Sequence, residues 1–223
     1  MTKKLFFEAV IKFLLGVILV GLLVFIPAGT ANYINGWIFI CVLFIPMFIA
    51  GIVMMFKNPN LLASRLNAKE KQRKQGIVIK LSGLMFILGF IVAGLDYRYK
   101  WLTIPNLVSY IFIFFFLSSY IMFAFVMKQN AYLSRTISIQ DNQKVVDSGL
   151  YGIVRHPMYS ATIIMFLSMP LILGSLISFF IFLLYPILII IRLLNEEKFL
   201  IKELQGYEEY TKKVKYRLIP FIW

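Results

Sequence analysis

The sequence GLYGIVRHPMY, residues 149–159, stands where a polar segment meets a long apolar one. It contains the one histidine of the protein, His156, which follows Arg155 and directly precedes Pro157. Proline suits the first turn of a helix, where its missing N–H would have no partner in any case. The stretch therefore predicts a membrane helix that begins at Pro157, with Arg155 and His156 close to the level of the lipid headgroups.

The rest of the chain has the composition of a polytopic membrane protein. Of its 223 residues, 61% are hydrophobic, which is more than soluble domains contain. Apolar runs of about 18 residues or more predict membrane-spanning helices. We find six such segments, at roughly 9–26, 36–56, 77–95, 106–127, 158–173 and 176–194. Gly174 and Ser175 are the break between the last two, and this predicts an all-α fold that ends in a tight helical hairpin.

The distribution of lysine and arginine predicts the orientation in the membrane. Basic residues are concentrated in the N-terminus, in the loop after the second segment (including Lys69 and Lys71), in 128–157 (including Arg135) and in the tail. The opposite side carries Arg98 and Lys100. Because cytoplasmic loops are enriched in basic residues, we predict that both termini and His156 face the cytoplasm of a cell-membrane protein.

The polar residues also predict how the single domain 1–223 is organised. The segments 128–157 and 195–223 flank the hairpin and lie on the same side of the membrane, so they should be neighbours. We therefore predict a four-span frame at 1–127 and a cofactor-binding core at 128–223.

Several kinds of site lack support in the sequence. One histidine and one distant cysteine, Cys41, do not have the spacing of metal ligands. No glycine-rich fingerprint follows a strand, and no nucleophile has an evident base partner. The net charge of +13 is explained by basic loops that face anionic lipid, so no nucleic-acid partner is predicted.

A second polar cluster lies where the sixth segment ends. Arg192 and Glu196 are four residues apart and share a helix face, and Glu197 follows. Taken alone, such a pair is adequately explained by mutual attraction at a membrane boundary. Tyr207 and Tyr210 lie beyond Gly206, in a basic and aromatic tail that resembles an interfacial anchor. The sequence assigns no role to Glu197 or to these two tyrosines.

Together, the two clusters resemble a known family. The pattern Gly-x-Tyr-x-x-Val-Arg-His-Pro-x-Tyr, then a helical hairpin, then Arg-x-x-x-Glu-Glu and Gly-Tyr-x-x-Tyr is similar to the isoprenylcysteine carboxyl methyltransferases, in particular their bacterial members. Related membrane phospholipid methyltransferases are similar over the same region. The resemblance is strongest over about residues 140–223, and one motif without the other would be a weak signal.

This resemblance implies an integral-membrane methyltransferase that binds S-adenosylmethionine (SAM) in a cytoplasmic pocket and takes a lipid or other hydrophobic acceptor from the bilayer. It implies that Glu196 contacts the cofactor and that Arg192 faces the acceptor as a catalytic residue. It implies that His156 is the second catalytic residue and also lines the SAM site. The other residues implied to line the SAM site are Gln143, Lys144, Val145, Val146, Tyr151, Pro157, Met158 and Tyr159.

These residue types suit the chemistry. A carboxylate such as Glu196 suits the SAM ammonium, and a donor such as His156 suits its carboxylate. Methyl transfer is an in-line displacement, so positioning accounts for most of the catalysis. An anionic acceptor held by Arg192 needs no general base, whereas an amine or a neutral thiol would need one, with His156 or Glu197 as the candidate. A carboxylate, a thiol and an amine all remain open as acceptors.

Two other classes compete with this interpretation. NADPH-dependent sterol-type membrane reductases are similar at Arg-His-Pro-x-Tyr and at the Tyr-Arg-x-Ile-Pro ending. The acidic pair at 196–197 does not suit the 2′-phosphate of NADPH. A transporter or a non-catalytic scaffold is the third class, but transporters place ionisable groups near the bilayer midplane, and here the charges collect at one face.

Overall fold

The protein is all-α, as the apolar pattern predicts. The computed structural model describes residues 2–66, 73–130, 132, 133, 136, 139, 140 and 142–223, and only the backbone of 73 and 74. Lys69, Lys71 and Arg135 of the charge pattern therefore lie outside the described residues. In the described ranges the α-helices are α1 (Lys3–Ala28), α2 (Ile34–Lys57), α3 (Pro59–Leu66), α4 (Arg73–Tyr99), α5 (Asn106–Gln129), α6 (Pro157–Ile172), α7 (Leu176–Phe182), α8 (Leu184–Glu203) and α9 (Tyr207–Lys213).

Five helical stretches are long and apolar enough to cross a membrane. They are α1, α2, α4 from Gln75, α5, and α7 together with α8. Their outer surfaces expose large aliphatic side chains, as on α1, where Leu15, Leu19 and Ile26 are each more than half exposed. A helix satisfies its own backbone hydrogen bonds, so such surfaces are stable against lipid. The prediction of a polytopic membrane protein is confirmed.

The fifth apolar segment, which forms α6, lies inside the bundle. It packs against α5, α7 and α8 and also touches α2 and α4. Met165, Met169 and Ile172 on α6 belong to the main hydrophobic core. At 16 residues it is about 24 Å long, shorter than the hydrocarbon layer of about 30 Å. Because protein rather than lipid surrounds it, α6 does not need the full length of a spanning helix.

The predicted hairpin turn is confirmed. Gly174 has a φ of 83°, in the left-handed region that favours glycine, and the Ser175 side chain accepts a hydrogen bond from the Ser178 backbone N–H at 3.1 Å. The buried Asp96 carboxylate at the end of α4 accepts hydrogen bonds from Ser175 Oγ and from the Leu102 N–H. The turn is thus tied to the α4–α5 loop at the end of the bundle opposite His156.

Two helix boundaries differ from the sequence prediction. The first apolar segment is predicted to end at about residue 26, but α1 continues through Pro27 to Ala28, and Gly29, whose φ is 68°, is its C-cap. The sixth segment is interrupted at Leu183, three residues before Pro186. Proline cannot bond to the carbonyl four residues earlier and its ring crowds that carbonyl, here of Phe182. Pro186 thus acts on the preceding turn rather than at its own position, whereas Pro27 does not interrupt α1.

The contact between α1 and α4 depends on Gly94, and this gives a prediction. A Cβ atom at Gly94 would lie 2.5 Å from the Val24 carbonyl oxygen and 3.0 Å from the Ala28 nitrogen. Because these are backbone atoms, Gly94→Ala forces the helices apart, and we expect a loss of about 1–3 kcal/mol in the free energy of unfolding. The measurement is thermal unfolding in detergent.

Gly83 provides the matched control on the same helix, because a Cβ atom added there would meet no atom of a neighbouring element within 4 Å. Gly83→Ala should leave the transition unchanged or raise it slightly, since alanine is the better helix former by up to about 1 kcal/mol. Equal melting temperatures for the two variants would contradict the close approach of α1 and α4 at Gly94.

Candidate active site

A polar cleft lies at the end of the bundle where α6 begins and where α8 extends beyond its apolar part. It encloses about 830 Å³ of space not filled by atoms, part of it open to solvent. The cleft brings together residues that are distant in the sequence. The sequence-predicted residues that line it are Gln143, Lys144, Val145, Val146, Tyr151, His156, Met158, Tyr159, Arg192 and Glu196.

Pro157 is the one predicted site residue that does not line the cleft. It is fully buried at the first position of α6, where the residue before it, His156, caps the helix without a side-chain bond. Proline sets the backbone direction at this point and leaves no N–H unsatisfied. Its role in the structure is to orient His156 and Met158 on either side of it.

Glu197 holds three cationic or basic side chains together behind the cleft. Its Oε1 lies 2.7 Å from Arg155 Nε and 3.3 Å from His156 Nε2, and its Oε2 accepts a hydrogen bond from Arg217 Nε at 2.8 Å. The Arg155 contact is an ion pair without the angle of a hydrogen bond. Glu197 is 5% exposed and does not line the cleft. This placement does not suit Glu197 as a general base, and its contacts are structural.

Backbone pairing attaches the C-terminal tail to the same place. The Arg155 N–H donates to the Tyr216 carbonyl and the His156 N–H to the Arg217 carbonyl, each at 2.9 Å. Arg155 Nη1 also donates to the carbonyls of Thr211 and Val214. The tail is therefore bound beside the beginning of α6 by both main chain and side chains.

His156 is held in a defined orientation by these contacts. Its Nε2 faces Glu197, and its ring lies nearly parallel to that of Tyr159, with 5.7 Å between ring centres. Its other nitrogen, Nδ1, is the one left for a ligand in the cleft. A hydrogen bond at one ring nitrogen selects the tautomer and so decides what the other nitrogen does.

Arg192, Tyr159 and Glu196 form a hydrogen-bonded chain on one wall of the cleft. Arg192 Nε donates to the Tyr159 hydroxyl at 3.0 Å, and that hydroxyl donates to Glu196 Oε2. Arg192 and Glu196, which the sequence places on one face of a helix, are thus connected through a residue of α6. The buried Gln75 at the start of α4 contacts Arg192 from the other side.

Tyr207 and Tyr210 of α9 also line the cleft, together with Tyr151. Tyr210 donates to the Tyr151 carbonyl at 2.7 Å, and Asn130 donates to the Tyr151 hydroxyl at 3.1 Å. Burial raises the pKa of Tyr151 to about 12. Burial also raises the pKa of Tyr207, and the Glu197 and Glu196 carboxylates raise it further, so its phenol is a neutral donor near pH 7.

The Tyr207 hydroxyl is buried and has no hydrogen-bond partner. A buried hydroxyl without a partner is costly, so its position in the wall of a cleft indicates a group that a ligand completes. The sequence singled out Tyr207 and Tyr210 but could assign them no role. The sequence analysis did not identify Gln75 and Asn130 as neighbours of the site. The only signal for them in the sequence was a polar side chain next to an apolar segment.

Among the residues that the structure describes, no group of three or more His, Cys, Asp and Glu side chains is arranged to hold a metal ion. The cleft instead offers one carboxylate, two guanidinium groups, an ammonium group, an imidazole and several phenols. These groups suit a charged organic ligand with an aromatic part. The fold and the cleft together define a polytopic membrane protein with a polar cleft at one face, whose lining residues suit such a ligand.

Residues 110–202 match the family model of the isoprenylcysteine carboxyl methyltransferase (ICMT) family. The match runs from α5 to nearly the end of α8 and includes the His156 motif, Arg192 and Glu196. It confirms over this segment, somewhat less than half of the chain, the resemblance that the motifs indicated. The matched family is one of membrane methyltransferases.

The chain is also similar to the Delta(14)-sterol reductase of Mus musculus, with 35% identity over 91 residues. That stretch is 40% of this chain and 22% of the reductase, so the chain corresponds to about a fifth of that relative's length.

Proposed function

We propose that this protein is an integral-membrane methyltransferase that uses SAM to methylate a hydrophobic, lipid-like acceptor. The observation that carries the proposal is the wall formed by Arg192, Tyr159 and Glu196 inside the segment that matches the methyltransferase family. Arg192 and Glu196 are four residues apart on α8, so this wall has a cation that would face an acceptor next to an anion that would bind the cofactor. The domain would consist of a frame, 1–127, and a cofactor-binding core, 128–223.

The residues of the cleft fit SAM. Glu196 is the carboxylate for its ammonium group, and Lys144 is a donor for its carboxylate. Because His156 Nε2 faces the Glu197 carboxylate, His156 Nδ1 donates to the SAM carboxylate when the ring is the doubly protonated imidazolium. Tyr207, Tyr210 and Leu200 provide an aromatic and apolar wall for its adenine, and the partnerless Tyr207 hydroxyl supplies a donor that only a ligand would use. SAM bound there would supply an electrophilic methyl group on a sulfonium. Gln143, Val145, Val146, Tyr151, Met158 and Tyr159 would complete the wall.

We propose a carboxylate as the acceptor group. Arg192 lines the cleft, and a guanidinium is the side chain best suited to a planar anion. An anionic nucleophile needs no base, and Glu197, the alternative base, faces away from the cleft toward Arg155 and Arg217. The residues would thus act by binding, by orienting the acceptor through Arg192 and by limiting water. A thiol or an amine is the alternative, with His156 as the base.

The site would lie on the cytoplasmic side of a cell membrane. The basic residues near it include Lys144, Lys212, Lys213 and Lys215, whereas Arg98 and Lys100 lie at the opposite end of the bundle. The enrichment of basic residues in cytoplasmic loops supports this orientation. Cytoplasmic SAM would then reach the cleft from water while the acceptor remains in the bilayer.

The alternative function is that of an NADPH-dependent sterol-type reductase, which the identity to the mouse Delta(14)-sterol reductase favours. Glu196 in the cleft disfavours it, because a carboxylate repels the phosphate groups of NADPH. Calorimetry of the detergent-purified protein with SAM and NADPH, with His156→Ala in parallel, tests the proposal. Saturable SAM binding that His156→Ala weakens supports it, and binding of NADPH instead would assign the protein to the reductases.

Tyr207 gives a prediction in which stability and binding change in opposite directions. Tyr207→Phe removes a buried hydroxyl that has no partner, so the thermal stability of the ligand-free protein should be equal or higher. The same change should weaken SAM binding about fivefold to tenfold, the effect of one lost hydrogen bond of about 1 kcal/mol or slightly more. Calorimetry and thermal unfolding measure the two effects.

Tyr210→Phe is the matched control, because the Tyr210 hydroxyl already donates to the Tyr151 carbonyl. Its loss should lower the stability of the ligand-free protein. Unchanged SAM affinity in Tyr207→Phe would contradict a cofactor contact at this hydroxyl.

A further inference from the structure

Gln75 is a buried amide that no motif identifies. It lies in the first turn of α4, it is fully buried, and it is far in sequence from the rest of the site. A buried amide retains its place in an otherwise apolar helix only where its donor and acceptor are both used. The partners of Gln75 therefore indicate what it does.

Both ends of the Gln75 side chain contact Arg192. Its Nε2 donates to the Arg192 backbone carbonyl at 3.3 Å, and its Oε1 accepts from Arg192 Nη1 at 3.3 Å. A carbonyl only accepts and a guanidinium only donates, so this pair of partners requires an amide in one orientation. A carboxylate at position 75 satisfies the guanidinium but not the carbonyl, and an aliphatic side chain satisfies neither.

The Arg192 guanidinium is thus held from two helices. Tyr159 on α6 accepts from Arg192 Nε at 3.0 Å, while Gln75 on α4 accepts from Nη1. Two contacts to different nitrogens of a planar group define the direction of its plane. Only Tyr159 belongs to the family motif, and the contact from α4 comes from outside the matched segment.

We propose that Gln75 is a positioning residue that sets the orientation of Arg192 toward the acceptor. The inference rests on the proposed function in so far as Arg192 binds the acceptor. It makes the frame part of the active site, because α4 then determines the geometry of a side chain on α8. Gln75 itself does not line the cleft, so it acts through Arg192.

The test compares Gln75→Met, which keeps the length and removes both polar groups, with Gln75→Glu, which keeps the acceptor for the guanidinium. The first measurement is the Arg192 Nε–H signal in protein labelled with [15N]arginine, assigned by its absence from Arg192→Lys. We expect the signal to shift or broaden in Gln75→Met and to be retained in Gln75→Glu. An unchanged signal in Gln75→Met would overturn the proposal. If Gln75→Met does not fold, Gln75→Asn, whose amide is one methylene too short for both contacts, takes its place.

The second measurement is methyl transfer to N-acetyl-S-farnesylcysteine, a hydrophobic probe with one carboxylate. Misplacement of an orienting group by about 1 Å costs on the order of a hundredfold, so we expect Gln75→Met to lower kcat/KM for the probe at least tenfold. The Kd for SAM should stay within about twofold, whereas a purely structural defect would weaken both. Equal losses in both quantities would contradict a positioning role.

The two measurements separate this inference from the proposed function. Absence of SAM binding to the unmodified protein would overturn the methyltransferase proposal, and the Arg192 signal would still decide whether Gln75 orients Arg192. SAM binding together with an unchanged Arg192 signal in Gln75→Met would support the methyltransferase and overturn the role of Gln75.

Discussion

Glu197→Leu is expected to lower the free energy of unfolding by about 3–5 kcal/mol, because it leaves the buried Arg155 and the half-buried Arg217 without their shared carboxylate. Loss of one partner of a buried ion pair is costly because the remaining charge has already lost its hydration. The measurement is thermal or denaturant unfolding in detergent, with the apolar variant expected to melt well below the unmodified protein.

The loss of structure in Glu197→Leu should begin at one end of the bundle. Arg155 also holds the carbonyls of Thr211 and Val214, so its displacement releases the segment that carries Tyr207 and Tyr210. Glu197→Leu should therefore increase the rate of protease cleavage within 207–217 more than it increases the rate of cleavage elsewhere in the chain. Uniform destabilisation with no preference for the tail would contradict this account.

The matched control for this prediction is Glu208→Leu on α9. Glu208 pairs with Lys212 at 2.9 Å, but both side chains are more than 60% exposed. Exposed pairs contribute little because water and salt screen them. A loss in Glu208→Leu as large as that in Glu197→Leu would show that the burial of Glu197 is not the cause.

The second large effect is expected at the neighbouring residue, Glu196, and concerns binding rather than folding. Glu196→Ala should weaken SAM binding about tenfold to a hundredfold, because a hydrogen bond to a charged group contributes about 1.5–3 kcal/mol. It should lower stability much less than Glu197→Leu, because the half-buried Glu196 carboxylate faces the cleft and bonds to the Tyr159 hydroxyl. Calorimetry gives the affinity and thermal unfolding gives the stability.

Glu203→Ala is the control for Glu196→Ala, since Glu203 ends the same helix, is exposed and pairs only with Lys202 among the contacts that the structure gives for it. Its SAM affinity should equal that of the unmodified protein. If Glu196→Ala bound SAM normally while methyl transfer persisted, the cofactor ammonium would have to lie elsewhere. If Glu196→Ala instead gained affinity for NADPH, the reductase would become the better assignment.

The pair Glu196 and Glu197 shows where prediction from the sequence ends. Glu196 follows Arg192 by four residues and Glu197 by five, and the family pattern contains both. Successive residues on a helix point about 100° apart, so only one of them can face a given neighbour. Which one faces the cleft depends on where α6 and the tail lie against α8, and this is a property of the tertiary packing. The roles of Tyr207 and Gln75 depend on long-range contacts in the same way.

The local sequence was sufficient to predict the helical segments and the hairpin turn of this protein. Apolar runs determined the spanning segments, Pro157 the beginning of α6 and Gly174 the turn of the hairpin, because each depends on a few adjacent residues and their backbone preferences. Tertiary structure alone decided that α6 lies inside the bundle, that Glu197 binds Arg155 and Arg217, and that Gln75 reaches Arg192 across 117 positions of sequence. Those contacts require the chain to close long loops, and the energy that selects them comes from packing and burial that no local segment contains.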